Sequence, residues 1–391
     1  MPPRRPHTKS RSGCQRCKEK HIKCNEARPA CSACVRYNVP CIPKVPKASR
    51  PSAAAPAPGT SEESSGIASP ALSPSTPRST VTIWEFELLH HWIIFVSESF
   101  EVSPGFHNAW RDRAVKESLN HDFFLHMILM LSALHMALTK DPLFTESHRA
   151  FILEGCSDAT TRFREEAENL SDRNCHAVQA FPFLLTIYAL ALGQLDREVK
   201  SEDAILDEMI GIMVLIKGHH LVEDKTNSFI ALKNDHWVQG GDFLGDEADA
   251  QFDLELTLAL RHLQAWIEAS GDSPTIKAIN TEAVRVFMKG LESHLHRNVR
   301  ALAWPTDVES NYLDLLRQRN PTALVILAYY AVVLGQSSSQ WWCANWGVRL
   351  TSVIVSILPA EYREAIAWPL HLLNFGDGTG LAGNRGAVQV Q

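Results

Sequence analysis

Six cysteines, Cys14, Cys17, Cys24, Cys31, Cys34 and Cys41, follow the spacing C-x2-C-x6-C, six residues, C-x2-C-x6-C. The second half repeats the first. Thiolates on a C-x-x-C step converge on one tetrahedral metal ion, and all-sulfur coordination suits Zn²⁺, which accepts soft ligands and imposes no geometry of its own. One Zn²⁺ would leave two thiols idle. Two Zn²⁺ need more ligand positions than six sulfurs offer unless two of them bridge both ions, and the pseudo-symmetry of the repeat points to its leading cysteines, Cys14 and Cys31, as the bridges. A RING-like or ribbon site with one ion fits less well, because His21 is the only histidine in the stretch and its spacing matches no Cys/His finger.

The rest of the chain needs no sulfur to hold it together. With 391 residues, 45% of them hydrophobic and 21% charged, it is long enough to bury a core without disulfides. No apolar run follows the basic start, and the longest apolar stretch, Phe181 to Gly193, falls short of a bilayer, so the reading is a chain without a membrane span, kept in a reducing compartment. Charge is divided unevenly. Residues 1–50 carry 13 Lys or Arg against two acids, a net +11, whereas residues 51–391 carry 25 against 42, a net −17. Even after two Zn²⁺ and six thiolates subtract two charges, the front of the chain attracts phosphate. Lys18, Lys20, His21 and Lys23 lie between Cys17 and Cys24, on the segment that metal would pin into a short helix, and Arg11 and Arg16 extend that surface. These six are the candidate contacts to double-stranded DNA. "PPRRPHTKSR" also reads as a nuclear localisation signal, which places the protein in the nucleus.

The elements behind this knuckle are of two kinds. Residues 42–80 are rich in Pro, Ala and Ser and read as a disordered linker without the apolar heptads of a zipper. From residue 81 apolar side chains recur every three or four positions, predicting helices around 146–170, 174–193, 202–217, 251–270, 274–297, 307–319, 321–336, 340–357 and 360–373, with Pro104, Pro142, Pro274, Pro321 and Pro359 at starts or breaks. The fold class expected is a small Zn2Cys6 binuclear cluster domain, a disordered linker, then a large all-α regulatory domain. Its parts are a basic arm at 1–13, the cluster at 14–41, the linker, the helical domain at 81–373 and a Gly-rich disordered tail at 374–391.

The cysteine repeat, with Pro29 two positions before Cys31, resembles the signature of the fungal binuclear zinc-cluster transcription factors. That resemblance implies two zinc ions, a first zinc-bound helix in the major groove, and a basic residue three positions before the third cysteine that reads a CGG-type triplet. Here that position is His21, which lacks the bidentate fork of arginine. "ELLHHWIIFVSESF", "HDFFLHMILMLSALHMAL", "NCHAVQAFPFLLTIYALA" and "WWCANWGVRLTSVIVSILPAEYREAIAWPL" look like the regulatory domain of the sterol-uptake-control subgroup. The implied partners are double-stranded DNA, transcription machinery or co-regulators, a sterol or other small apolar ligand, and a second copy bound through the helical domain. Phe181, Phe183, Leu184, Ile187 and Tyr188 have the composition of an apolar pocket, although their helical spacing equally describes core. Two other readings stand beside DNA-binding regulation: an adaptor that uses the cluster only as scaffold, and a lipid-responsive switch.

Other signals carry less. Gly378, Gly380 and Gly383 spell G-x-G-x-x-G too close to the end for a dinucleotide fold. Cys156, Cys175 and Cys343 read as buried thiols, and the histidine groups lack metal spacing. No nucleophile elbow, HExxH or P-loop is present, so the chain reads as a regulator and not an enzyme. The acidic, apolar stretch 242–256 reads as the start of a helix rather than an activation segment.

Overall fold

A five-residue helix, α1 (Ser32–Arg36), lies in the cysteine-rich segment, and after Thr82 amphipathic spacing turns the chain into one helix after another. The computed structural model describes residues 14, 17, 20, 24, 25, 27, 30–36, 41, 82–100, 108–195, 200–233, 245–292 and 294–373. The basic arm at 1–13, the linker at 42–80 and the Gly-rich tail at 374–391, with its formal G-x-G-x-x-G, lie outside them. The chain divides into two compact units, Met1–Thr76 and Pro77–Gln391.

In the second unit a capping box between Thr82 and Glu85 opens α2 (Ile83–His91). It runs on through a π-helical turn (Trp92–Val96) and a last turn at Ser97–Ser99. A second π-helical turn (Ala109–Arg113) leads into α3 (Ala114–Ser118). Then come α4 (Asp122–Thr139), α5 (Glu146–Glu154), α6 (Ser157–Glu168), α7 (Cys175–Leu195) and α8 (Glu202–Lys233). The carboxyl-terminal part holds α9 (Glu247–Ala269), α10 (Pro274–Leu291), α11 (Arg297–Asp307), α12 (Ser310–Arg317), α13 (Pro321–Gln336) and α14 (Trp346–Ile357). A 3-10 segment (Ala360–Ile366) and α15 (Ala367–Leu372) close it. Pro274 and Pro321 sit in the first turns of their helices, where a missing N–H costs nothing, behind the side-chain caps Ser273 and Asn320.

Helix α13 is the axis of the core, with every residue from Thr322 to Leu334 buried. Its partner α14 approaches so closely that a Cβ on Gly347 would lie 2.6 Å from the Ala331 carbonyl and 2.8 Å from Gly335 Cα. Two glycines thus let two backbones touch. In α11, Pro305 cannot donate to the carbonyl four residues back, and the Tyr330 hydroxyl donates to that Ala301 oxygen instead, at 2.6 Å. Trp304, stacked on Phe287 with ring centres 4.6 Å apart, donates its indole N–H to Ala283 O at 3.0 Å.

Several expectations are corrected. The helix at 146–170 is two, parted at Gly155, whose φ of 75° ends α5. The helix at 202–217 continues to Lys233, because Ile216, Thr226 and Ile230 keep one side of it buried. That at 274–297 stops at Leu291; His294 takes a left-handed φ of 45°, and α11 follows where no helix was expected. Phe181, Leu184, Ile187 and Tyr188 are buried, with Phe181 stacked on Phe163 at 4.6 Å and Phe183 on Trp110 at 5.2 Å, so these side chains fill core. Two helices, α4 and α7, are in fact long and apolar enough to cross a membrane, yet 61% and 72% of their most apolar windows are buried inside the unit. They are core helices.

Of the acidic stretch 242–256, the described part begins α9, as read. Asp246 caps Asp249 N–H at 2.9 Å, and the buried Asp249 and Asp253 face the buried Arg300 of α11, which lies 3.3 Å from one and 2.9 Å from the other.

One pair, a buried and a half-buried histidine, makes stability depend on pH. His91 Nε2 and His135 Nδ1 lie 2.9 Å apart, with Trp341 edge-on to His135 and Asp141 3.7 Å from His91. Desolvation, then the proximity of His91, depresses His135 to about 4. The unfolded chain, with its histidine near 6.5, takes up the proton first, so the contribution is intact above about pH 6.5 and is lost as pH falls toward 4. His135→Gln, which keeps a hydrogen-bonding partner for His91 but does not titrate, is expected to reduce the stability lost between pH 7 and 4.5 by about 2 kcal/mol in urea unfolding.

Candidate metal centre

The leading cysteine of each half caps the turn that carries the second. Cys31 precedes α1, and its sulfur accepts the Cys34 N–H at 3.5 Å, as a serine oxygen would at a helix start. Cys14 stands in the same relation to the Cys17 N–H. A C-x-x-C step therefore places two sulfurs on one side of a single turn. The backbone N–H that each leading sulfur accepts lowers its pKa, to about 6 for Cys31 and below the ordinary thiol range for Cys14. Desolvation raises Cys17 instead.

The sulfurs converge. Cys14 lies 3.8 Å from Cys31 and 3.7 Å from Cys34, and Cys17 lies 3.7 Å from Cys31. Tetrahedral Zn–S bonds of about 2.3 Å put their sulfurs about 3.8 Å apart, whereas a disulfide would bring two of them to about 2 Å. Two groups of four form, Cys14, Cys17, Cys24 and Cys31, and Cys14, Cys31, Cys34 and Cys41, each with its sulfurs within 4.8 Å of one another. They share Cys14 and Cys31, the pair that the repeat's pseudo-symmetry singles out and the pair with lowered pKa. All but the half-buried Cys41 are buried. Six sulfurs in two overlapping tetrahedra are a donor set made for two thiophilic ions.

One contributor was not legible in the spacing. Asn25 Oδ1 accepts the Ser32 N–H at 3.0 Å, tying the end of the first half to the start of α1. Of the candidate DNA contacts, Lys20 is exposed in a turn, and Arg11, Arg16, Lys18, His21 and Lys23 lie outside the described residues. Elsewhere Cys175 and Cys343 are buried and Cys156 half-buried, far from metal spacing in sequence.

Comparison with known proteins agrees with this geometry. Residues 12–51 match the family model of the fungal Zn(2)-Cys(6) binuclear cluster domain. The chain is 27% identical over 359 residues, 86% of its length and 88% of the relative's, to the Zn(2)-C6 fungal-type transcription factor afumD of Aspergillus fumigatus. It is 24% identical over a 435-residue alignment, 95% of its length and 87% of the relative's, to a Zn(2)-C6 fungal-type transcription factor of Gibberella zeae. Both relatives are named as transcription factors. With sulfurs spaced for two zinc ions and a matching family model, residues 12–51 are a fungal Zn(2)-Cys(6) binuclear cluster domain, which binds two Zn²⁺, followed in this chain by an all-helical unit.

Proposed function

We propose that the protein is a DNA-binding transcription regulator of the nucleus that reads a defined duplex sequence and governs a metabolic pathway, either of lipid and sterol or of secondary metabolism. The observation that carries this reading is the pair of overlapping sulfur tetrahedra set within a segment of net charge +11. Cys14, Cys17, Cys24, Cys31, Cys34 and Cys41 are the proposed ligands, with Cys14 and Cys31 bridging. When bound, zinc supplies the fold of a segment too short to bury a core of its own.

The protein's own residues do the rest. Lys18, Lys20, Lys23, Arg11 and Arg16 attract and position on phosphate, a salt-dependent contribution that is blind to sequence. His21 faces the choice of base, since an imidazole can exchange one hydrogen bond with a guanine or adenine edge but carries no fork. Co-regulators are the proposed partners of the helical unit. The named relatives favour regulation over the adaptor reading, in which the cluster would bind no DNA. A lipid-responsive switch finds no support in Phe181, Leu184, Ile187 and Tyr188, whose side chains are packed away.

Selection from random duplexes with the zinc-loaded chain tests the proposal: a defined site is expected to be enriched, and enrichment of none leaves the adaptor. Gel shifts over a salt series then separate the roles. Lys20→Ala is expected to weaken binding to all duplexes alike and to lower the slope of log affinity against log salt by about 0.9, whereas His21→Ala relaxes sequence choice and leaves the slope in place.

A further inference from the structure

Five of the six clustered sulfurs are shut away, Cys14, Cys17, Cys24, Cys31 and Cys34 being 0 to 4% exposed. Cys41 is the exception, half-buried. Its place in the ligand set matters as much as its exposure: Cys34 and Cys41 occur only in the second group of four, while Cys14 and Cys31 occur in both. Taking Cys34 and Cys41 away leaves Cys14, Cys17, Cys24 and Cys31, which is the whole of the first tetrahedron and is buried throughout. One ion can therefore be lost without dismantling the site of the other. Cys17 and Cys24 stand in the mirror relation to the first group, but at 1% and 3% exposure no reagent reaches them.

A thiol that serves zinc is deprotonated, and a thiolate is a nucleophile wherever a reagent can touch it. Cys156 shows the contrast. It too is half-buried, but it has no metal spacing, and burial pushes its pKa up, so it stays a protonated thiol. Cys41 Sγ accepts the Cys31 N–H at 3.3 Å, which holds it at the edge of the centre. Cys34 Sγ lies within 4.8 Å of it.

We infer that Cys41 is a redox modification site for hydroperoxides and that Cys34 is its resolving thiol. The Cys41 thiolate attacks the distal peroxide oxygen, the O–O bond breaks, the remainder leaves as an alcohol after taking one proton from solvent, and Cys41 becomes a sulfenic acid. The Cys34 thiolate then attacks that sulfur, the S–O bond breaks, and hydroxide takes a second proton and leaves as water. Two electrons pass from the two sulfurs to the peroxide. The disulfide formed removes the two ligands that the second group does not share, while the first group keeps all four of its own. This inference rests on the ligand assignment proposed above and not on DNA binding.

The test uses the full chain loaded with zinc, titrated with tert-butyl hydroperoxide while released metal is followed with a chromogenic chelator. About one equivalent is expected to leave and about one to stay. Trypsin cuts after Arg36, so mass spectrometry should find two peptides joined through Cys34 and Cys41, with the other four cluster thiols free for alkylation after chelation. A dithiol with added zinc should restore the second equivalent. Cys41→His keeps a zinc ligand that forms no disulfide and is expected to slow release by about tenfold or more; if it holds only one ion, the peptide map of the parent chain decides. Absence of release, loss of both ions together, a disulfide that includes Cys14, Cys17, Cys24 or Cys31, or oxidation of Cys156 before Cys41 overturns the inference. A chain that never holds two equivalents overturns the ligand assignment and this inference with it.

Discussion

Cys31→Ser is expected to strip the protein of both zinc ions, leaving fewer than about 0.2 equivalents by elemental analysis, and to abolish sequence-specific DNA binding. The reason is the sharing. Cys31 belongs to both groups of four sulfurs and also caps α1, so its loss opens both tetrahedra and the turn between them. Cys41 belongs to one group only, and Cys41→Ser is expected to retain about one equivalent. Apparent binding free energies of structural zinc in small domains run to about 10 kcal/mol or more, and without that contribution a knuckle with so few apolar residues has little to fold around. Two full equivalents retained by Cys31→Ser would refute the bridging assignment.

Arg300→Met is expected to destabilise the helical unit by about 3 to 5 kcal/mol. Arg300 and the two carboxylates it faces, Asp249 and Asp253, are each nearly inaccessible, at 3%, 3% and 2% exposure. Arg300 also donates to Leu295 O at 2.9 Å and lies over the Phe252 ring. Methionine fills much of the volume but leaves two negative charges in the interior with Arg297, 3.2 Å from Asp249, as their remaining close guanidinium. Burial already raises the pKa of Asp253 above the usual carboxylate range against the opposing pull of Arg300. Without Arg300 the rise should be larger, so the deficit is greatest at pH 7 and shrinks toward pH 5 as the carboxylate takes up a proton. Urea unfolding at the two pH values measures this, and Asp253→Asn in the same background should recover part of the loss. An Arg300→Met chain as stable as the parent at pH 7 would mean that the three charges are better solvated than their burial implies.

The sulfur centre could be read from the sequence because spacing and residue type determine it together: a C-x-x-C step is one helical turn wide, and its duplication counts the metal ions. Asn25 escaped because its partner, Ser32, lies across a loop whose path depends on the centre itself. The helical class was legible from apolar periodicity, while boundaries failed wherever tertiary contacts overruled local signals. Gly218 with His219 and His220 looks like a helix end, but Ile230 is buried beyond it and the helix carries through. Pro305 looks like a break, but Tyr330 takes up the orphaned carbonyl. Asp249 and Asp253 look solvated until Arg300, some fifty residues later, comes to meet them.

Trp341 donates its indole N–H to Ser99 Oγ at 2.8 Å and packs on His135, and its carbonyl accepts from Gln194. The first of these contacts spans 242 positions. At a synthesis rate of about 5–20 residues per second, α2 and α4 would leave the ribosome roughly 10–50 s before the tryptophan that completes their packing exists. For that interval α2 and α4 stand without this contact, and apolar surface left open while a chain is still being made is prone to association.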